Sequence, residues 1–343
     1  MKQIIIHCGM PKTGSSALQV QLAQSRDTLL AYGYDYLNHG DVEQARQGRI
    51  TSGNGAQLAR AYLNPEHPAG LADQRADITA TFRKMIAATE AHVILSSEFF
   101  SATPRPLLAE LCAALQDLGQ VVLVFFVREQ LNAIASTYIQ QVKRHMLTQY
   151  PDEYLADWSR YKIPMMYHSY LSNLAKRAPE ALLLSKPYEL SQTHPAGLMG
   201  LFMEMIGAEI PQEKLPEDSR INLSPGPQEI RLMLEINKHH PRMQFSDMLV
   251  EGSFASGRSN IHNQHSLLPP ALSAEIRAFF QAENDAYFKT FAQCDNIYAK
   301  LSETEDAIDL RAVSFDATSV VEILSGLLSR MDRRLARLEE KLS

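Results

Sequence analysis

The stretch Gly9-Met10-Pro11-Lys12-Thr13-Gly14-Ser15-Ser16 constrains this chain more than any other part of it. Before it stands Ile4-Ile5-Ile6-His7-Cys8, β-branched and apolar on both faces, as a strand buried in a parallel sheet must be. After it stands Ala17-Leu18-Gln19-Val20-Gln21-Leu22, which has helical spacing. A glycine-rich turn between such a strand and helix aims backbone N–H groups and the positive end of the helix dipole at one point, which makes an anion site. Lys12 adds a full charge, and Ser15 and Ser16 add hydroxyl donors. The loop differs from the GxxxxGK[ST] loop of ATPases because its lysine precedes the second glycine. It therefore lacks the lysine that reaches β- and γ-phosphates there, and no dedicated metal ligand follows.

Three later runs also read as strands: His92 to Ser96, Val121 to Val127 and Leu182 to Ser185, with helical patterns at Pro106 to Leu118 and Leu131 to Arg144 between them. Strands separated by helices imply βαβ crossovers and a mainly parallel sheet. The predicted fold class is α/β, a P-loop NTPase-like sheet flanked by helices, over a domain of residues 1–302. Residues 38 to 77 are polar with one short helix near Gly55 to Leu63, and read as a mobile excursion or lid. Residues 211 to 227 carry four prolines and read as loop. Helices resume at Gln228 to Lys238 and Ser273 to Ala292.

Residues 303–343 form a separate helical tail. Val321, Leu324, Leu328, Met331, Leu335, Leu338 and Leu342 recur at steps of three and four, a heptad seam with charges around it. Three readings stay open: a helix packed on its own domain, an oligomerising coil over 321–342, or a basic interfacial helix.

Composition narrows the partners. Among 343 residues, 39 acidic side chains against 33 basic ones leave a net charge of −6, which argues against holding nucleic acid or anionic membrane by a bulk positive field. Cys8, Cys112 and Cys294 lie far apart, which argues against a disulfide framework or a cysteine-based metal site. The apolar run at Ile4 to Ile6 is too short for a signal-peptide core, and no stretch reaches the ~18 apolar residues that a membrane span requires. A cytoplasmic protein with reduced thiols is expected.

The Met10-to-Gln19 run resembles the 5′-phosphosulfate loop of sulfotransferases that use 3′-phosphoadenosine 5′-phosphosulfate (PAPS). A second constellation agrees. Arg128 ends the central strand and Ser136 follows eight residues on, about two turns into the next helix, a spacing that lets a guanidinium and a hydroxyl converge on one phosphate. This is similar to the 3′-phosphate motif of the same family. The chain departs from the commoner pattern with Gln130 where proline is frequent and Asn132 where aspartate is frequent. Leu183 to Leu190 resembles the strand and Tyr-Glu-x-Leu turn of these enzymes, whose role is mainly structural. The resemblance spans most of residues 4 to 210.

It implies PAPS as co-substrate, adenosine 3′,5′-bisphosphate as product and no metal, with Pro11, Lys12, Thr13, Gly14, Ser15, Ser16, Arg128 and Ser136 holding the nucleotide. Arg258, in a late polar loop resembling the segment that closes over PAPS, joins them. Lys12 would stabilise the departing phosphate. The general base would be Glu98, which lies just past a strand end, where open α/β sheets build their sites. Neighbouring Phe99 and Phe100 would raise its pKa by desolvation; the plainer reading is a solvated glutamate at a turn. Carbohydrate sulfotransferases often use such a glutamate, and the Lys-x-His-Leu-Pro pattern of the phenol and steroid enzymes is missing. His7, also a candidate catalytic residue, either lines the acceptor pocket or is a hydrogen-bonded core histidine. Lys143, Arg144 and His145 would meet an anionic acceptor or complement their helix dipole. The aromatic stretch from Tyr150 to Tyr170 would stack on sugar rings or belong to the core.

The expected acceptor is a hydroxyl of a sugar, glycolipid or small metabolite. A P-loop kinase of a small substrate and a non-catalytic nucleotide-binding scaffold are the alternatives.

Overall fold

Five parallel strands build one sheet in the order β2-β3-β1-β4-β5. They are β1 Gln3–Cys8, β2 Tyr34–Tyr36, β3 His92–Ser97, β4 Gln120–Val127 and β5 Leu182–Pro187. The computed structural model describes residues 1–216, 225–243, 245, 246, 248, 249, 264–300, 307–315, 321, 324–329, 331, 332, 335, 336 and 339. Strand β1 lies at the centre, with Ile5 opposite Ile94 of β3 and Val122 of β4. Ile4, Ile5 and Ile6 have no exposed surface, which is why the run is apolar on both faces. Because all five strands run the same way, the turns that follow them open at one edge of the sheet, as in other open α/β folds.

The chain divides into two compact units, each assembled from three segments. The first is Met1–Glu129, Met166–Arg220 and Ala282–Tyr298, and contains the whole sheet. Its core joins Ile5, Ile94 and Val122 to Leu18 and Leu22 of helix Ser15–Gln24 and to Phe202 of helix Gly197–Met205. The second is Gln130–Met165, Ile221–Gln281 and Ala299–Ser343.

Residues 38 to 77 are not the free excursion their polarity suggested. Helices Val42–Arg46 and Ala56–Ala61 bury Val42, Ala45, Leu58 and Ala59, and the segment between is stitched to the sheet by Asn54. Its Nδ2 donates to Ile94 O at 2.9 Å and to Leu37 O at 3.1 Å, and its Oδ1 accepts from Ser96 N at 2.8 Å. Gly55 N then donates to Ser96 O at 3.1 Å. One side chain thus does what a further residue of β2 would do. At neighbouring Gly53, which has φ +83°, a Cβ would collide with the Ser96 carbonyl. Asn54→Ala would strand three buried backbone groups, so we expect it to lower unfolding free energy by about 3 kcal/mol in urea titration.

In the second unit, Tyr138, Ile139 and Val142 of helix Gln130–Arg144 pack against Ile230, Met233 and Leu234 of helix Pro227–His239. Asn237 Nδ2 satisfies Val142 O at 2.9 Å and Leu147 O at 3.0 Å, closing the end of the first helix. The aromatic faces expected to stack on sugars already carry the chain's own cations. Arg311 lies 4.2 Å over Tyr150, Arg160 4.2 Å over Tyr154 and Lys162 4.5 Å over Trp158. Of the tail expected to be helical from residue 303, the described residues 307–315 form turns and irregular chain, whereas 321, 324–329, 331, 332, 335, 336 and 339 are helical. Leu327 packs on the second unit's core, whereas Val321, Leu324, Leu328, Met331 and Leu335 of the seam are exposed.

Candidate active site

The glycine-rich loop continues the sheet by one rung, with Gly9 N donating to Ser97 O at 3.1 Å. A Cβ on Gly9 would come 2.5 Å from Ser15 Oγ and 3.2 Å from Glu98 Cα, so glycine alone permits this closeness. Ser101 Oγ donates to Gly9 O at 3.0 Å and ties the loop to the turn after β3. Within the loop Lys12 and Gly14 both lie in the left-handed region, at φ 68° and 74°. For Gly14 that conformation is free of penalty, and a side chain there would meet Leu198 and Tyr188. For Lys12 it is strained, and strain of this kind gathers at functional sites. Thr13 Oγ1 holds the turn by donating to Met10 O at 2.7 Å, so its hydroxyl serves the loop itself.

Helix Ser15–Gln24 begins directly at Gly14 with no side-chain cap, which leaves its N-terminal N–H groups available to an anion. Ser15 Oγ is buried there without a hydrogen-bond partner. A buried hydroxyl left in that state is costly, and an oxyanion is what it lacks. Pro11 is exposed, and Lys12 and Ser16 are half-buried.

Arg128 follows β4 and turns back onto the loop. Its Nη1 donates to Lys12 O at 3.0 Å, and its guanidinium lies 5.5 Å over the Tyr188 ring. Lys12 and Arg128 therefore meet, through a contact that spacing could not reveal. Tyr188 and Glu189, which had only a structural role in the sequence reading, stand beside them; the Tyr-Glu pair at the end of β5 was the available signal. Glu189 Oε1 accepts from Glu129 N at 2.9 Å, while its Oε2 is buried without a partner. Burial pushes the Glu189 carboxyl up to about 7, against the pull of the Glu129 amide and of Arg128.

Glu98 is exposed and stands immediately before helix Phe99–Ala102, with no side-chain hydrogen bond to cap it. Phe100 turns inward, close enough to Gly55 to block a Cβ there, so the apolar enclosure expected around the carboxylate does not form. His7 is corrected more sharply. It has no exposed surface, its Nδ1 lies 2.8 Å from Ser96 Oγ, and its ring meets Phe126 and Phe202 edge-on. Burial pulls its pKa down to about 3, so it stays neutral. It is a buried core histidine. Ser136 is half-buried on helix Gln130–Arg144 of the second unit. Arg258 lies outside the described residues.

No protein-family model matches the chain, and no curated protein sequence does. Among solved structures it is similar to a sulfotransferase from Alicyclobacillus acidocaldarius, at 10% identity over 87% of this chain and 99% of that one, with a TM-score of 0.47. Among the described residues no helix is long and apolar enough to cross a membrane, and no group of three or more His, Cys, Asp or Glu could hold a metal ion.

Proposed function

We propose that this chain is a sulfotransferase that moves the sulfuryl group of PAPS to a hydroxyl of a sugar, glycolipid or small metabolite. The observation that carries the reading is the Arg128 to Lys12 hydrogen bond, which joins the two family-like motifs at one edge of the sheet. The loop also suits a phosphosulfate: an uncapped helix N-terminus, an unpartnered Ser15 hydroxyl and a glycine that admits no side chain. PAPS, when bound, supplies an activated sulfuryl group on a phosphate leaving group. Lys12 and the helix N-terminus offset the charge that grows on that leaving group as its bond to sulfur breaks. Glu98, exposed beside Gly9, takes the proton of the acceptor hydroxyl as its oxygen bonds to sulfur. Arg128 holds the 3′-phosphate, and the family spacing adds Ser136 and Arg258 as further nucleotide ligands. The location that goes with this reading is the cytoplasm, where Cys8, Cys112 and Cys294 would stay reduced.

The test is a pair of thermal shifts, with adenosine 3′,5′-bisphosphate and with Mg²⁺-ATP, followed by labelled sulfate transfer from PAPS to a panel of acceptors. The bisphosphate should stabilise the protein and transfer should follow. A preference for Mg²⁺-ATP would mean a kinase, and bisphosphate binding with no transfer would mean a scaffold. Glu98→Gln should lower transfer about 100-fold with bisphosphate affinity unchanged.

The exposed seam supports a second copy of this chain as the tail's partner. In the heptad, Asp332 and Glu339 flank the seam on one side, and Arg334 and Lys341 flank it on the other. Parallel pairing sets Arg334 against Glu339 of the other copy, whereas antiparallel pairing would set like charges together. Analytical ultracentrifugation should show a dimer that Leu328→Asp dissociates. Arg334→Glu should weaken it, and Arg334→Glu with Glu339→Arg should restore it; a wild-type monomer at tens of micromolar would exclude the pairing.

A further inference from the structure

The end of β4 presents three backbone groups in succession, and a separate side chain takes each. Tyr298 Oη donates to Val127 O at 3.2 Å, Tyr167 Oη donates to Arg128 O at 2.9 Å, and Glu189 Oε1 accepts from Glu129 N at 2.9 Å. The three come from distant parts of the first unit: the 3₁₀ turn Ile297–Lys300, the start of helix Tyr167–Arg177 and the turn Tyr188–Gln192. Tyr298 and Tyr167 are buried, as is the Glu189 carboxyl. Packing alone does not account for this. Phenylalanine would fill the volume of either tyrosine, and a buried carboxyl with one oxygen unpartnered is among the costlier groups to enclose. What the three share is that their hydrogen bonds bracket Arg128 on both sides and so fix the direction in which its side chain leaves the strand.

We propose that Glu189 is a positioning residue for Arg128, acting with Tyr167 and Tyr298, and that its ionisation tunes how firmly the site holds a phosphate. This rests on the reading of Arg128 as a phosphate ligand. The charged and titratable groups around the Glu189 carboxyl are Arg128, Glu129, Tyr167, Tyr287 and Tyr298. Burial pushes the three phenols above their usual values, so they stay neutral while Glu189, raised to about 7, titrates. Below that pH the acid is neutral and does not offset the charge of Arg128. Above it a carboxylate stands beside Arg128 and offsets that charge. A phosphate on Arg128 raises the carboxyl further, so binding near neutral pH takes up a proton.

The experiment is calorimetric titration of the full chain with adenosine 3′,5′-bisphosphate at pH 6 and pH 8.5, for wild type and Glu189→Gln. Glutamine keeps the acceptor for Glu129 N but cannot ionise. The ligand's own titration is common to both proteins, so the ratio of their affinities isolates Glu189. That ratio should be near one at pH 6 and rise to about tenfold in favour of Glu189→Gln at pH 8.5. Wild type alone gives a second reading, independent of how the variant folds. The Glu129 amide proton, followed by NMR, should titrate with a midpoint near 7 that moves up when bisphosphate is added. If bisphosphate binds, but the ratio is flat with pH or the amide midpoint stays still, the tuning role of Glu189 is overturned while the nucleotide site stands. No bisphosphate binding at either pH would overturn both.

Discussion

Lys12→Ala should lower sulfuryl transfer about 100- to 1000-fold and leave adenosine 3′,5′-bisphosphate affinity within about threefold. The asymmetry follows from where the charge is needed. The ammonium acts on the 5′ side of the nucleotide, where negative charge grows as the bond to sulfur breaks, so its effect is concentrated in the transition state. The backbone gives a second arm. Lys12 holds φ 68°, a conformation glycine adopts freely and alanine does not. Lys12→Gly should therefore be as slow as Lys12→Ala and no less stable in thermal unfolding. Rates that recover in the glycine variant would mean that loop shape, and not the ammonium, limits turnover. A bisphosphate affinity lost in step with the rate would return Lys12 to a ground-state binding role.

The complementary result concerns Arg128. Arg128→Ala should weaken adenosine 3′,5′-bisphosphate binding about 100-fold, the loss of roughly 3 kcal/mol that charge-assisted hydrogen bonds to one phosphate account for. Binding of 5′-AMP, which lacks the 3′-phosphate, should change only a few-fold. Some change is expected even there, because Arg128 also donates to Lys12 O and braces the loop. Arg128→Lys should recover part of the affinity but not all of it, since an ammonium cannot present a planar fork to a phosphate. Equal losses for the two nucleotides would assign Arg128 to the loop alone.

Some of this was legible in the sequence and some was not, for physical reasons. Ile4 to Cys8 and Val121 to Val127 announced themselves because a strand covered on both faces must be apolar throughout, and the turn after the first had to be glycine-rich. The three-residue β2 was missed: at Tyr34–Tyr36 it is too short to show a period, and β3 is its partner in the sheet. Asn54 was read as part of a polar loop because an asparagine that bonds buried backbone has the same letter as one that bonds water. His7 could be read either way, and the rings that enclose it come from β4 and a helix near residue 200. The bracket around Arg128 draws on residues 167, 189 and 298, a separation over which local pattern carries no information. The division into two interleaved units escaped the sequence for the same reason.

The stitching at β2 has a further consequence, for behaviour in crowded solution. An edge strand with a row of free backbone groups invites another chain to add to it, and many aggregates start that way. Here Arg26 Nε donates to Tyr36 O at 3.0 Å, and past the end of β2 Asn54 takes Ile94 O and Ser96 N, groups of β3 that so short a strand would otherwise leave open. The Arg26 guanidinium also pairs with Asp35 at 3.5 Å, which sets charge along the same border. The polar segment after β2 thus shields the sheet from self-association, a protection that loss of Asn54 would remove together with its hydrogen bonds.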